Sequence, residues 1–316
     1  MMGNNGQTLE ELDRDITNDP QNAKAWAGRG ETYRLMKRYQ EALEDFNRAI
    51  ELKPDYAWAL AHRGETSFLM DAFEGAIEDF NRAIELQPNY IWALAHRGVT
   101  YERIEHYEEA LVDLDRAIAL QPDYAWAIAY RCRTYEMLRR YEEALVEFDR
   151  AIALDKSIIK ENWLAERGLF LSFVGRYAEA MEHYQQALEK DPEDGLILYW
   201  IATLKARWKG LDEALPEIER AKSVLQAKLA ASGSEASAII YELGGLAATQ
   251  GRKDEALAYL EESIVGDYFS RRRACHDFAW LDLHQEPRFQ KVTNICSNGQ
   301  ESFYNVEQVG QRQASH

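Results

Sequence analysis

A chain of 316 residues with 37 Lys+Arg against 54 Asp+Glu carries a formal charge of −17, which repels a phosphate backbone, and no concentrated basic face offsets it. Its 46% hydrophobic and 29% charged residues suit an extended core with a soluble surface, and its 7 prolines and 18 glycines leave most of the chain to regular structure. No apolar run approaches membrane-spanning length, Met1–Gln7 lacks the regions of a signal peptide, and Cys132, Cys275 and Cys296 stand at no metal-like spacing, so reduced thiols and a cytoplasmic setting are expected.

In chain order, Leu9–Pro20 reads as a lone second helix, part of an N-terminal capping half-repeat over 1–22. A unit of 34 residues then repeats without a gap at 23–56, 57–90, 91–124 and 125–158. Ala57-Trp-Ala-Leu-Ala-His-Arg-Gly64 returns from Ile91 to Gly98 and again from Ala125 to Cys132; Phe46-Asn-Arg-Ala-Ile-Glu-Leu-Lys-Pro54 returns three times. Each unit reads as two amphipathic helices. In the first unit, Trp26, Gly30 and Tyr33 mark one helix; after a turn at Lys37-Arg38, Tyr39, Ala42, Phe46, Ala49 and Ile50 mark the other. Pro54 ends the pair. Gly30 and Ala42 are small because two antiparallel helices approach closely only where neither carries bulk at the crossing. Cys132 holds the place of Gly30, Gly64 and Gly98, as a small buried thiol.

Beyond 158 the pattern weakens. Lys156 replaces the closing proline, Ile159-Lys160 are extra, and 155–161 is expected to be a longer connection that alters stacking. Three degenerate repeats occupy 159–268. They include an apolar first helix (Leu169, Phe170, Leu171, Phe173, Val174) and a longer helix and loop over 212–236, in which Pro216 falls near the first turn. Capping helices are expected over 269–295 and a polar, disordered tail over 296–316.

Trp26, Gly30, Tyr33, Ala42, Phe46 and Pro54 stand at the places of the W-x2-L-G-x2-Y, A-x3-F, P pattern, with Arg29 where that pattern has leucine. The chain thus resembles the tetratricopeptide repeat family over about four-fifths of its length. The resemblance implies an all-α, right-handed superhelical solenoid of antiparallel helix pairs whose first helices line a concave groove. Such pairs cannot bury their apolar faces alone and must stack.

On those first helices, Trp58, Trp92 and Trp126 each follow a tyrosine and leave two readings open: packing on that tyrosine and the preceding loop, or an aromatic strip that anchors an extended ligand. Farther along lie Glu31, Arg34, Glu65, Phe68, Glu102, Arg103, Arg133 and Glu136, which complete the candidate protein-binding groove. Members of the family that grip chaperone C-terminal tails do so with Lys, Asn or Arg on these faces. Here Ala27, Glu31, Trp92 and His96 stand there instead, which disfavours such tails.

Two arginine ladders, Arg29/63/97/131/167 and Arg48/82/116/150, recur with Asp45, Asp79, Asp113 and Glu147 and read as inter-helix pairs, worth little each where exposed. His62 and His96 recur one repeat apart, too widely for one metal ion. No zincin, C-x-x-C, nucleophile-elbow or Walker motif occurs, and no cofactor or metal is expected. The expected function is a non-catalytic scaffold binding a peptide segment or partner protein in the groove. The alternatives are an RNA-binding helical repeat, or an enzyme with an unrecognised site in the C-terminal degenerate region.

Overall fold

The computed structural model describes residues 7–155, 163–231, 236–266, 268–275 and 277–293. The extra residues Ile159-Lys160, the Ser232-Gly-Ser234 break and the polar tail lie outside them. The chain divides into two units, Met1–Ile159 and Lys160–His316. Every element among the described residues is helical, and no strand is present.

The first unit begins with α1 (Leu9–Asn18), opened by a capping box: Thr8 Oγ1 accepts from the Glu11 amide at 3.3 Å, and Glu11 accepts from the Thr8 amide at 2.7 Å. Four pairs follow: α2 (Ala23–Leu35) with α3 (Tyr39–Leu52), α4 (Ala57–Leu69) with α5 (Phe73–Leu86), α6 (Ile91–Arg103) with α7 (Tyr107–Leu120), and α8 (Ala125–Met137) with α9 (Tyr141–Leu154). First helices of consecutive pairs touch one another, whereas the second helices meet mainly their neighbours in sequence. First helices therefore form the inner face of this unit.

The crossings obey the small-residue logic. A Cβ on Gly98 would lie 3.1 Å from the Ala110 carbonyl oxygen and 3.0 Å from Leu114 Cγ. Cys132, at the same place, is buried and donates from Sγ to the Ala144 carbonyl at 3.2 Å. Each pair turns through a Schellman motif. In the first, the Arg38 amide donates to Tyr33 O and the Lys37 amide to Arg34 O, both at 2.9 Å. That motif demands a left-handed residue, and Lys37, Asp71, Glu105 and Arg139 adopt it at φ 61°, 58°, 66° and 58°. In the second unit the corresponding turns use Gly175 and Gly251.

The arginine ladder joins three helices at once. Arg97 Nε and Nη2 donate to Asp113 at 2.6 and 2.7 Å, and Nη1 reaches back to Asn81 Oδ1 of the preceding repeat at 2.6 Å. Arg29, Arg63 and Arg131 repeat the arrangement with Asp13/Asp45, Asn47/Asp79 and Asp115/Glu147. The inter-helix reading holds, but the expectation of weak exposed pairs does not: Asp45, Asp79 and Asp113 are buried. In the second ladder, Arg116 and Arg150 donate to the Pro88 and Pro122 carbonyls at 2.6 Å, in the turns that close the preceding pairs, while Arg48 donates to Glu51 at 2.9 Å.

The second unit contains α10 (Trp163–Phe173), α11 (Tyr177–Leu188), α12 (Gly195–Lys209), α13 (Leu211–Ala231), α14 (Ala236–Thr249) and α15 (Lys253–Gly266). It closes with α16 (Tyr268–Ala274), a 3-10 helix Phe278–Leu283 and α17 (Pro287–Thr293). The long second helix expected near 212–230 is present as α13, with Pro216 inside it rather than in its first turn. Cys132 is a free, buried thiol.

Candidate protein-binding site

The three tryptophans stand at the second place of α4, α6 and α8, on the face where first helices meet. They do not form a row of bare indoles. His62 and His96, one turn along the same helices, slot between them: ring centroids run Trp58–His62 4.1 Å, His62–Trp92 4.6 Å, Trp92–His96 3.9 Å, His96–Trp126 4.7 Å and Trp126–Tyr130 4.3 Å. Phe46 and Phe80 meet Trp58 and Trp92 edge-on at 6.3 and 6.2 Å, and Tyr56, Tyr90 and Tyr124 lie about as close. Each tryptophan is half-buried. Trp92 has an imidazole on either side, so a ligand reaches its rim rather than a free face. The same indole stands between the two imidazoles, which is why His62 and His96 cannot share an ion.

Beside the ladder, Glu31, Arg34, His62 and Glu65 form one cluster across α2 and α4. Arg34 donates to Glu31 at 2.7 Å and reaches Glu65 at 3.1 Å; His62 Nδ1 lies 3.3 Å from Glu31 and 3.6 Å from Glu65. Burial opposes ionisation of Glu31, yet hydrogen bonds from Arg34 and His62 prevail and hold its carboxyl at about 2. Burial likewise disfavours the His62 cation, and the two carboxylates outweigh it and raise the imidazole above its ordinary value. His96 is the reverse case. Val99 stands where Glu65 stands in the preceding repeat, and burial drives His96 down to about 4. Successive rungs of one ladder are thus shifted in opposite directions.

The other candidates are dispersed along the same helices. Glu102 is buried against Arg133 of the next repeat. Arg103 lies over the Phe73 ring at 5.8 Å and 3.8 Å from Asp71, with its side chain 52% exposed. Phe68 is half-buried, edge-on to Phe73 at 5.8 Å, and Glu136 is half-buried. The structure therefore joins Trp58, Trp92 and Trp126 through histidines and gathers Glu31, Arg34 and Glu65 into one cluster. Glu102–Arg133 and Phe68–Phe73–Arg103 form separate contacts. The sequence reading missed the histidines as members of this site, though their recurrence four residues after Trp58 and Trp92 was the available signal.

In the second unit, the same register places are occupied by the chain itself. Three residues before the small crossing residues Gly64 and Gly98 stand Ala61 and Ala95; before Ala202 and Gly244 stand Tyr199 and Tyr241. Both tyrosine hydroxyls donate to Asp277, at 2.8 and 3.0 Å. Phe173, at the place of Arg103, stacks on Phe278 at 4.2 Å and 15°. Nearby, burial raises Glu242 to about 7, with Arg273 at 3.7 Å.

Among the described residues no three His, Cys, Asp or Glu side chains converge as a metal site, and no helix is long and apolar enough to cross a membrane. Stacked antiparallel pairs with small crossing residues and an inner face of first helices define a helical-repeat solenoid. Tetratricopeptide repeat profiles match residues 23–56, 59–90, 93–124, 171–223 and 217–268. The chain belongs to the tetratricopeptide repeat family.

Solved structures share the fold. A tetratricopeptide repeat protein from Parabacteroides merdae aligns with 15% identity and a TM-score of 0.62, covering 88% of this chain and 100% of that one. YrrB, described as a TPR protein with an unusual peptide-binding site, aligns with 18% identity and a TM-score of 0.52, covering 60% and 97%. A chain of the APC/C hetero-tetramer Cut9–Hcn1 aligns with 17% identity and a TM-score of 0.51, covering 73% and 44%. A comparison with curated proteins finds no match.

Proposed function

We propose that this protein is a non-catalytic scaffold that holds a peptide segment or a partner's helix against the first-helix face of its first unit. The observation that carries the reading is the Trp–His ladder on that face: one indole rim per repeat, with Trp92 held between two imidazoles, Trp58 against His62, and Trp126 between His96 and Tyr130. A preorganised aromatic row loses little freedom on binding and offers anchors at regular intervals. The tetratricopeptide fold supports a protein partner in general, and the peptide-binding site of YrrB is a fold-level parallel. Exposed Arg103 and half-buried Glu136 supply charge of both signs beside the row, which suits a partner of mixed charge.

The test is Trp92→Ala in the full chain, with stability and partner capture measured on one preparation. Capture should fall at least tenfold. Because Trp92 also packs between two histidines, a loss of about 3 kcal/mol of stability accompanies truncation. Trp92→Phe separates the effects: it keeps an aromatic in the stack and removes the indole rim. Undiminished capture by both variants refutes the aromatic row as the binding element.

A further inference from the structure

We propose that the first-helix face of the second unit is a recognition surface for a short helical acid–aromatic segment, and that the chain's own Asp277–Leu283 is its resident occupant. The contacts have the character of ligand recognition. Asp277 presents one carboxylate oxygen to two buried hydroxyls, Tyr199 at 2.8 Å and Tyr241 at 3.0 Å, while its other oxygen accepts from the Ala279 amide at 3.1 Å and starts the 3-10 helix. Phe278 lies flat on Phe173. Trp280, fully buried, contacts Tyr241 at 5.5 Å and fills the notch left by Gly244, where a Cβ would lie 2.9 Å from the indole.

A terminal cap has only to cover the last pair, α14 and α15, and α16 and α17 already pack on α15. Asp277 and Trp280 cover α14 through Tyr241 and Gly244, but Asp277 and Phe278 also reach back to α12 and α10, two repeats from the end. The receiving side is shaped for them. Gly245 leaves room for Tyr199, since a Cβ there would stand 2.3 Å from the Tyr199 hydroxyl. A buried carboxylate is a poor source of stability, but with two aimed donors it fixes position and register. Phe173 occupies the register place of exposed Arg103 on the first-helix face of the first unit, whereas the equivalents of Tyr199 and Tyr241 there, Ala61 and Ala95, are small and wholly buried. The resident segment therefore keeps this face closed to outside partners that carry the same Asp-Phe-x-Trp chemistry.

The test uses the full chain and a labelled synthetic peptide with the sequence Asp277–Lys291. The wild-type chain, already occupied, should bind the peptide at least tenfold more weakly than the Asp277→Asn/Phe278→Ala variant. Adding Tyr199→Phe and Tyr241→Phe to that variant should abolish the gain, since the rings remain and only the donors are lost. Equal binding by wild type and variant, or none by either, overturns the proposal. Hydrogen exchange separates release from unfolding: the variant should gain exchange on the 3-10 helix and the adjoining parts of α10 and α12. Loss of protection throughout the second unit would make the segment a structural cap and refute its role as an occupant.

Discussion

Replacing Arg97 by methionine removes three hydrogen bonds and leaves Asp113, only 2% exposed, as a buried carboxylate without its bidentate partner. Breaking a buried pair on one side costs about 3–5 kcal/mol, because the remaining charge stays desolvated. The bond to Asn81 lies nearer solvent and adds about 1 kcal/mol. Removing both partners is a different perturbation. Arg97→Met/Asp113→Leu leaves no orphaned charge and should recover most of the loss, ending within about 1–2 kcal/mol of the parent. The assay is chemical denaturation of the four full-length proteins of this cycle, following the transition of the first unit, since repeat arrays need not unfold in one step. A single Arg97→Met variant within about 1 kcal/mol of the parent would refute burial as the source of the coupling. So would a double variant as unstable as the two single losses added together.

The turn between α4 and α5 offers a backbone test: Asp71→Val should lose about 1–2 kcal/mol because a β-branched residue resists the left-handed region at φ 58°, whereas Asp71→Gly should match or exceed the parent in a thermal melt. A pH series tests the charge cluster, in which His62 faces Glu31 and Arg34 of α2, Glu65 of its own helix and the low-pKa His96 of α6. The raised His62 value means that its contribution to stability is complete below the unfolded pKa of about 6.5 and is lost as pH rises through the folded value, so the first unit's melting temperature should fall across that interval and His62→Gln should flatten the fall. Glu31, depressed to about 2, contributes in the opposite sense, with stability present above the ordinary glutamate value of 4.5 and lost as pH falls toward 2. In the second unit, Gly245→Ala should cost about 1–3 kcal/mol by thermal melt, because its Cβ would stand 2.3 Å from the Tyr199 hydroxyl.

Much of the fold was legible because the repeat writes each structural requirement several times. Small residues at Gly30, Gly64 and Gly98 announced the crossings, and the turns fell where Lys37-Arg38 and its equivalents predicted them. The forward partners Asp45, Asp79, Asp113 and Glu147 of the first arginine ladder were legible as well, but the rear acceptors and the burial were not, since both depend on three helices converging. The Trp–His stack escaped for a related reason. Periodicity places His62 and Trp92 on similar faces, but only the approach of α4 to α6 puts one ring against the other. The Asp277 contacts join residues 78 and 36 positions apart, beyond any local pattern. Their one sequence trace is the change from alanine at 61 and 95 to tyrosine at 199 and 241.

The arginine clamp bears on how such an array can grow. Arg29, Arg63, Arg97 and Arg131 each look sixteen residues forward to their own pair's carboxylate and sixteen back to an acceptor in the helix before. A copied block of one full period therefore arrives as a tile with matching edges: its arginine finds an acceptor waiting, and its own second helix offers one to whatever follows. Gain or loss of whole tiles leaves no charge stranded, whereas a deletion of any other length breaks the match on both sides of the scar. Ahead of the first regular pair, Asp13 on α1 supplies the rear acceptor that Arg29 needs. That helix gives Arg29 the edge that each later tile gives its successor, so copy number is free to vary behind it.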